Sequence, residues 1–163
     1  MAGITDIDRG LLARVAQQSG LMVIGKTADR SEARERVAQN IGVSAAELSR
    51  VMVPIENAFA VADHTKCLVF MLAEGVVPSN VREGYLTRLM LRRTYRLLKA
   101  LAMEEKLFEI VDKQIAYWSR DFPHIKEMRD EIITMLSVEQ EKYVQTLKRG
   151  SQLAKRTAQE LKT

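Results

Sequence analysis

Apolar residues recur along this chain at three- and four-residue intervals, and no stretch of useful length alternates with the period of two that a half-buried strand requires. The pattern predicts an all-α fold: a helical bundle of about six helices with a long C-terminal helix. A first helix over about 7–19 places Leu11, Leu12 and Val15 on one face and stops at Gly20. After the apolar connector 21–24, Ser31 starts a second helix with Ala33, Val37, Ala38 and Ile41 inward and Gly42 as its breaker. Ser44-Ala45-Ala46-Glu47 has the Ser-x-x-Glu form of a capping box and opens a third helix.

Pro54 falls inside that third pattern. It lacks an amide donor and crowds the preceding turn, so a break or kink is expected just before it, with a new helix opening there. From 54 to 74, Ile55, Phe59, Ala62, Leu68, Phe70, Met71 and Leu72 are apolar almost all round, the signature of a central buried helix that Gly75 ends. The chain is therefore expected to divide into an N-terminal helical subdomain, 1–53, and a helical core, 54–163. Asn80, followed by Glu83, reads as an N-cap for the next helix, about 81–102. A further helix over about 104–120 turns Leu107, Ile110, Val111, Ile115 and Trp118 inward, and Asp121-Phe122-Pro123 interrupts it. The last helix runs from His124 and is expected to fray after Gly150 into a basic, polar end.

Composition narrows the function classes. With 47% apolar and 28% charged residues, 8 glycines and 3 prolines, the chain has a globular composition rather than a loop-rich or disordered one. The net charge of +4 suits an anionic partner without identifying one. One cysteine, Cys67, cannot form an internal disulfide, and the N-terminus has no secretory pattern, so a cytoplasmic setting is expected. Apolar runs such as 67–73 fall well short of the roughly 20 residues that span a bilayer.

Charge placement in 76–96 is more telling. At about 100° per residue, Arg88, Arg92, Arg96 and Lys99 share a stripe with Tyr85, opposite Leu86, Leu89, Met90, Leu97 and Leu101. Guanidinium groups four residues apart, without carboxylates at matching spacing, form either a rail for phosphates or a solvated cationic face. Arg93 projects to the apolar side, where a buried carboxylate such as Asp63 is its expected partner.

Other chemistry is thin. His64 and Cys67 share a helical face but lack third and fourth metal ligands, and buried structural roles suit them better. Cys67 has no base and orienting group to make it a nucleophile, and no Gly-rich phosphate loop occurs. No catalytic, cofactor-binding or metal-binding residue is assigned.

Ala62-Asp63-His64-Thr65-Lys66, then Leu72-Ala73-Glu74-Gly75-Val76-Val77-Pro78-Ser79-Asn80, then Gly84-Tyr85 with Arg88 and Arg92-Arg93, in this order and spacing, resemble the alanyl-tRNA synthetases of archaeal type. The likeness extends less sharply through 117–123 and 139–150. It implies the helical segment that follows the class II catalytic domain, precedes the editing domain and receives the tRNA acceptor stem. Partners would be the tRNA(Ala) acceptor stem and those two domains, with no membrane and no DNA. ATP, magnesium and zinc belong to the other domains, and no cofactor to this chain, which alone is expected to be non-catalytic.

The resemblance further implies that Asn80 reads the minor-groove side of the G·U wobble pair, together with an aspartate lying beyond Thr163. A short carboxamide offers both hydrogen-bond senses to the shallow minor groove of A-form RNA. Asn80 is thus a base reader, an N-cap, or both. Gly84 admits a close backbone or simply packs, and Tyr85 stacks on ribose or base or lies at the rim. Arg88 and Arg92 carry over as tRNA contacts. Arg82 and Arg96 follow less directly, since Glu83 stands where the bacterial pattern has arginine and Leu89 replaces another. A helical protein–protein module with a basic face is the alternative. A DNA-binding helix-turn-helix fits less well, because the basic stripe lies on a long helix without the short two-helix turn.

Overall fold

The computed structural model describes residues 8–18 and 30–161, and every regular element among them is helical. The order is α1 (Arg9–Gln17), α2 (Arg30–Ile41), α3 (Ala45–Ala73), α4 (Arg82–Ala100), a 3-10 turn (Glu104–Lys106), α5 (Leu107–Trp118), the single turn α6 (His124–Glu127) and α7 (Arg129–Glu160). The connector expected over 21–24 lies outside the described residues. Asp8 caps α1 by accepting from the Leu11 amide at 3.0 Å, and Ser44 caps α3 by accepting from the Glu47 amide at 3.1 Å. Each supplies a partner to an amide that the first helical turn leaves without one. Gly42 and Gly75 take positive φ (74° and 79°) just past α2 and α3, where a side chain would be strained and the chain must turn.

α3 is the spine. Its C-terminal half supplies Val61, Leu68, Val69, Leu72 and Ala73 to the main core, which Leu91, Tyr95, Leu98 and Leu101, then Leu107, Val111 and Ile115, then Ile125, Ile132 and Leu136 complete. Its first turns supply Leu48 to a smaller cluster with Val15, Val37 and Ala38. Phe70 packs edge-on to Trp118 and Phe122, with ring centroids 5.6 and 5.1 Å away, closing the end of the core where α5 stops.

Three sequence expectations give way here. α3 runs unbroken through Pro54, so the boundary expected at 53/54 falls inside one helix. Pro54 removes one amide bond and crowds one carbonyl, yet residues 51–58 are only half-buried and Phe59 is exposed, so this turn is not sealed in the core. Packing of both ends of α3 then outweighs the local penalty. Phe59, expected in the core, is 70% exposed, because the neighbouring helices cover only part of that turn. And α7 stays helical past Gly150 to Glu160, although residues 144–161 are all exposed. A single helical glycine costs only about 1 kcal/mol, which propagation on both sides absorbs.

Replacing Pro54 by alanine restores the missing amide donor without disturbing either core cluster. Pro54→Ala is expected to stabilise the fold by as much as about 3 kcal/mol, read as a higher melting temperature with helical circular dichroism preserved. A lower melting temperature would show that the proline ring contributes packing that outweighs its helix-breaking cost.

Candidate nucleic-acid interface

The segment between α3 and α4 folds back over the first turn of α4. The Ser79 amide donates to the Gly84 carbonyl at 2.9 Å, and the Ser79 hydroxyl donates to the Val81 carbonyl at 2.8 Å. A Cβ on Gly84 would lie 2.4 Å from the Val77 carbonyl oxygen and 2.3 Å from Ser79 Oγ. Glycine is therefore demanded by the chain's own crossing segment. Arg82, with φ 48°, completes the turn.

This fold-back sets Asn80 on the surface at the mouth of α4 and engages its carboxamide elsewhere than in capping. Val81 occupies the N-cap position and makes no side-chain cap bond. Asn80 Oδ1 instead accepts from Arg88 NH1. Arg88 is 15% exposed, and its guanidinium grips Glu139 of α7 with two parallel bonds, Nε to Oε2 at 2.9 Å and NH2 to Oε1 at 2.8 Å, while NH2 also donates to the Pro78 carbonyl at 3.2 Å. Glu139 is only 5% exposed and takes a further bond from Lys142 Nζ at 3.2 Å. Burial alone would raise its pKa; the hydrogen bonds and charges of Arg88 and Lys142 outweigh this and hold it below the ordinary glutamate value. Tyr95 lies beside this carboxylate and stacks on Tyr143, with centroids 5.4 Å apart. Burial, and then the Glu139 charge, push the Tyr95 hydroxyl pKa upward.

The basic face of α4 is consequently rotated from the stripe read off the sequence. Gly84, Thr87, Leu91, Thr94, Tyr95 and Leu98 face inward, α7 covers the flank holding Arg88, and Arg92 is half-buried with Nε shielded and unpartnered among the described residues. Arg82, Tyr85, Leu86, Arg93, Arg96 and Lys99 are exposed. Leu86 and Arg93, both placed toward the core by the sequence reading, point outward. Arg93 forms no ion pair with Asp63; both lie near His64, whose pKa is lowered first by burial and then by Arg93, with Asp63 opposing. Arg82, Arg93, Arg96 and Lys99 have no ion-pair partner among the described residues. Within that set, no group of three or more His, Cys, Asp or Glu could hold a metal. Cys67 Sγ rests 3.6 Å from the Met71 sulfur. Among the described residues, no helix is long and apolar enough to cross a membrane.

A family model described as class II tRNA synthetases (A) matches residues 2–163. The chain belongs to that family. Among its relatives, the alanine–tRNA ligase of Pyrococcus furiosus is 46% identical over 162 residues, 99% of this chain and 18% of that protein. The corresponding ligase of Methanothermobacter thermautotrophicus is 45% identical over 156 residues, 96% of this chain and 17% of that protein. That of Methanobrevibacter smithii is 43% identical over 161 residues, 98% and 18% respectively. The chain thus spans less than a fifth of the length of these synthetase relatives.

Of the candidate tRNA-binding residues, the structure brings Asn80 and Arg88 into direct contact. It leaves Tyr85, Arg82, Arg96 and Lys99 at the surface and draws Arg92 halfway in. Glu139 escaped the sequence reading altogether. A glutamate on a polar stretch of a long helix, 51 residues from Arg88, carries no local signal of burial.

Two outcomes are expected from this geometry. Gly84→Ala forces the added carbon against backbone and should destabilise by about 1–3 kcal/mol in denaturant unfolding; an unchanged midpoint would contradict the close crossing of 77–79. The Glu139 carboxylate is favoured more in the folded than the unfolded chain, so its stabilisation is complete above roughly pH 4.3 and lost as pH falls below it through the depressed folded value. The melting-temperature difference between the native protein and Glu139→Gln should accordingly be widest near neutrality and close under acid.

Proposed function

We propose that this chain is the acceptor-stem-recognition segment of an alanine–tRNA ligase, positioning tRNA(Ala) by its G·U wobble pair for a catalytic domain elsewhere in the enzyme. The observation that carries the reading is the exposed carboxamide of Asn80, held at the mouth of a helix whose outward face bears cations with no ion-pair partner among the described residues. Asn80 offers hydrogen bonds to base edges in the shallow minor groove of A-form RNA. Arg82, Arg93, Arg96 and Lys99 contact phosphates, Arg92 stands at the edge of that surface, and Tyr85 offers a ring for a ribose or base. Membership of the synthetase family and its alanine–tRNA ligase relatives support the substrate class.

Phosphate contacts position and base contacts specify, which separates the residues experimentally. The test is binding of the 163-residue chain to two RNA hairpins that differ only in a G·U or a G·C pair in the stem. Log affinity should fall linearly with log salt, and Arg93→Ala with Arg96→Ala should weaken both hairpins alike while reducing the salt slope by about one per contact. Asn80→Ala should mainly erase the preference for G·U. Alone, the chain should give no alanine-dependent ATP–pyrophosphate exchange. Equal binding to both hairpins and to an unrelated polyanion at physiological salt would favour a protein-interaction module with a basic face instead.

A further inference from the structure

We infer that Arg88 and Glu139 act together as positioning residues for Asn80, so that a carboxylate on α7 orients the carboxamide that reads RNA. This rests on the proposed role of Asn80. Arg88 lies at helical spacing with Arg92 and Arg96, where a phosphate contact is the simple expectation, but its guanidinium is already committed. It has five N–H donors, and four are engaged: Nε and NH2 by Glu139, NH1 by Asn80 Oδ1, and NH2 again by the Pro78 carbonyl. Side-chain exposures of 15% and 5% for Arg88 and Glu139 leave little of the pair facing solvent. A phosphate reaching Arg88 would have to break a bidentate, shielded ion pair, whereas Arg82, Arg93, Arg96 and Lys99 on the same helix stand exposed.

The planar fork explains why the residue is arginine. Its Nε–NH2 edge matches the carboxylate of Glu139, which fixes the plane of the group. The remaining nitrogen, NH1, then projects toward Asn80 Oδ1. With Oδ1 held, the carboxamide cannot turn end for end without losing a charge-assisted hydrogen bond, and Nδ2 is engaged by none of the described residues. The reading group is thereby fixed in plane and in sense before RNA arrives. Preorganisation of this kind avoids an ordering cost on binding and raises discrimination rather than general affinity. Lys142 Nζ adds a further bond to Glu139 Oε1 at 3.2 Å, the oxygen that also accepts from Arg88 NH2, so the carboxylate is held from two residues.

The decisive variants are Arg88→Lys and Glu139→Gln, compared with Asn80→Ala on the same pair of G·U and G·C hairpins at fixed salt. Lysine keeps the charge and would serve a phosphate, but cannot span a carboxylate and an amide in one plane. Each variant is expected to bring the G·U-to-G·C affinity ratio down to that of Asn80→Ala, and to change it no further when combined with Asn80→Ala. A ratio that survives Arg88→Lys, or an Arg88 variant that weakens both hairpins equally with the ratio intact, overturns the inference while Asn80 remains the reader. An unaltered ratio in Asn80→Ala itself overturns the proposed role of Asn80 and the inference with it. Where a variant unfolds, nitrogen NMR of the native protein still decides. The Arg88 Nε–H should exchange with water far more slowly than those of Arg93 and Arg96, and equally fast exchange overturns the inference.

Discussion

The arrangement of this surface depends on one shielded ion pair. Arg88 of α4 and Glu139 of α7 meet through two parallel hydrogen bonds, and between them they join two long helices to the segment that precedes α4. Such a pair is a weak source of net stability, since each charge gives up water to form it. Removing one partner is costly, however, about 3–5 kcal/mol, because the other is left buried and unpaired. The consequence is specificity of arrangement: α7 has one register against α4, and Pro78 and Asn80 have one place above it. With Gly84, Thr87, Leu91, Thr94, Tyr95 and Leu98 turned inward and Arg88 paired to α7, Arg82, Arg93, Arg96 and Lys99 are left to solvent.

α3 makes this possible by being long and continuous. Its 29 residues serve two core clusters, the smaller one near Leu48 and the larger one from Val61 to Ala73. Tertiary contacts on both sides of Pro54 maintain the helix through a residue that local propensity would make a boundary. The Gly75 turn that ends α3, and the close crossing over Gly84 that starts α4, then confine the intervening segment to a short path. Asn80 is delivered to the surface by that path.

Family membership gives this geometry its chemical context. The chain matches class II tRNA synthetases over residues 2–163 and spans less than a fifth of the length of its alanine–tRNA ligase relatives. An exposed carboxamide beside cations that no described residue pairs suits a surface that separates affinity from discrimination. In the proposed role, phosphate contacts would supply the first and a single oriented side chain the second.

Much of the architecture was legible in the chain itself. The 3.6-residue periodicity, the capping serine at Ser44, the breakers Gly42 and Gly75 and the interruption at 121–123 each act over a few neighbouring residues, so reading along the sequence finds them. The local motif around Asn80 likewise drew attention to the segment that folds back over α4. Tertiary structure alone decided the phase of α4, the exposure of Leu86 and Arg93, the continuity of α3 through Pro54, and the partnership of Arg88 with a glutamate 51 residues away. Helical periodicity says which residues share a face; which face a neighbouring helix covers depends on packing between segments distant in the chain, and no local pattern encodes that.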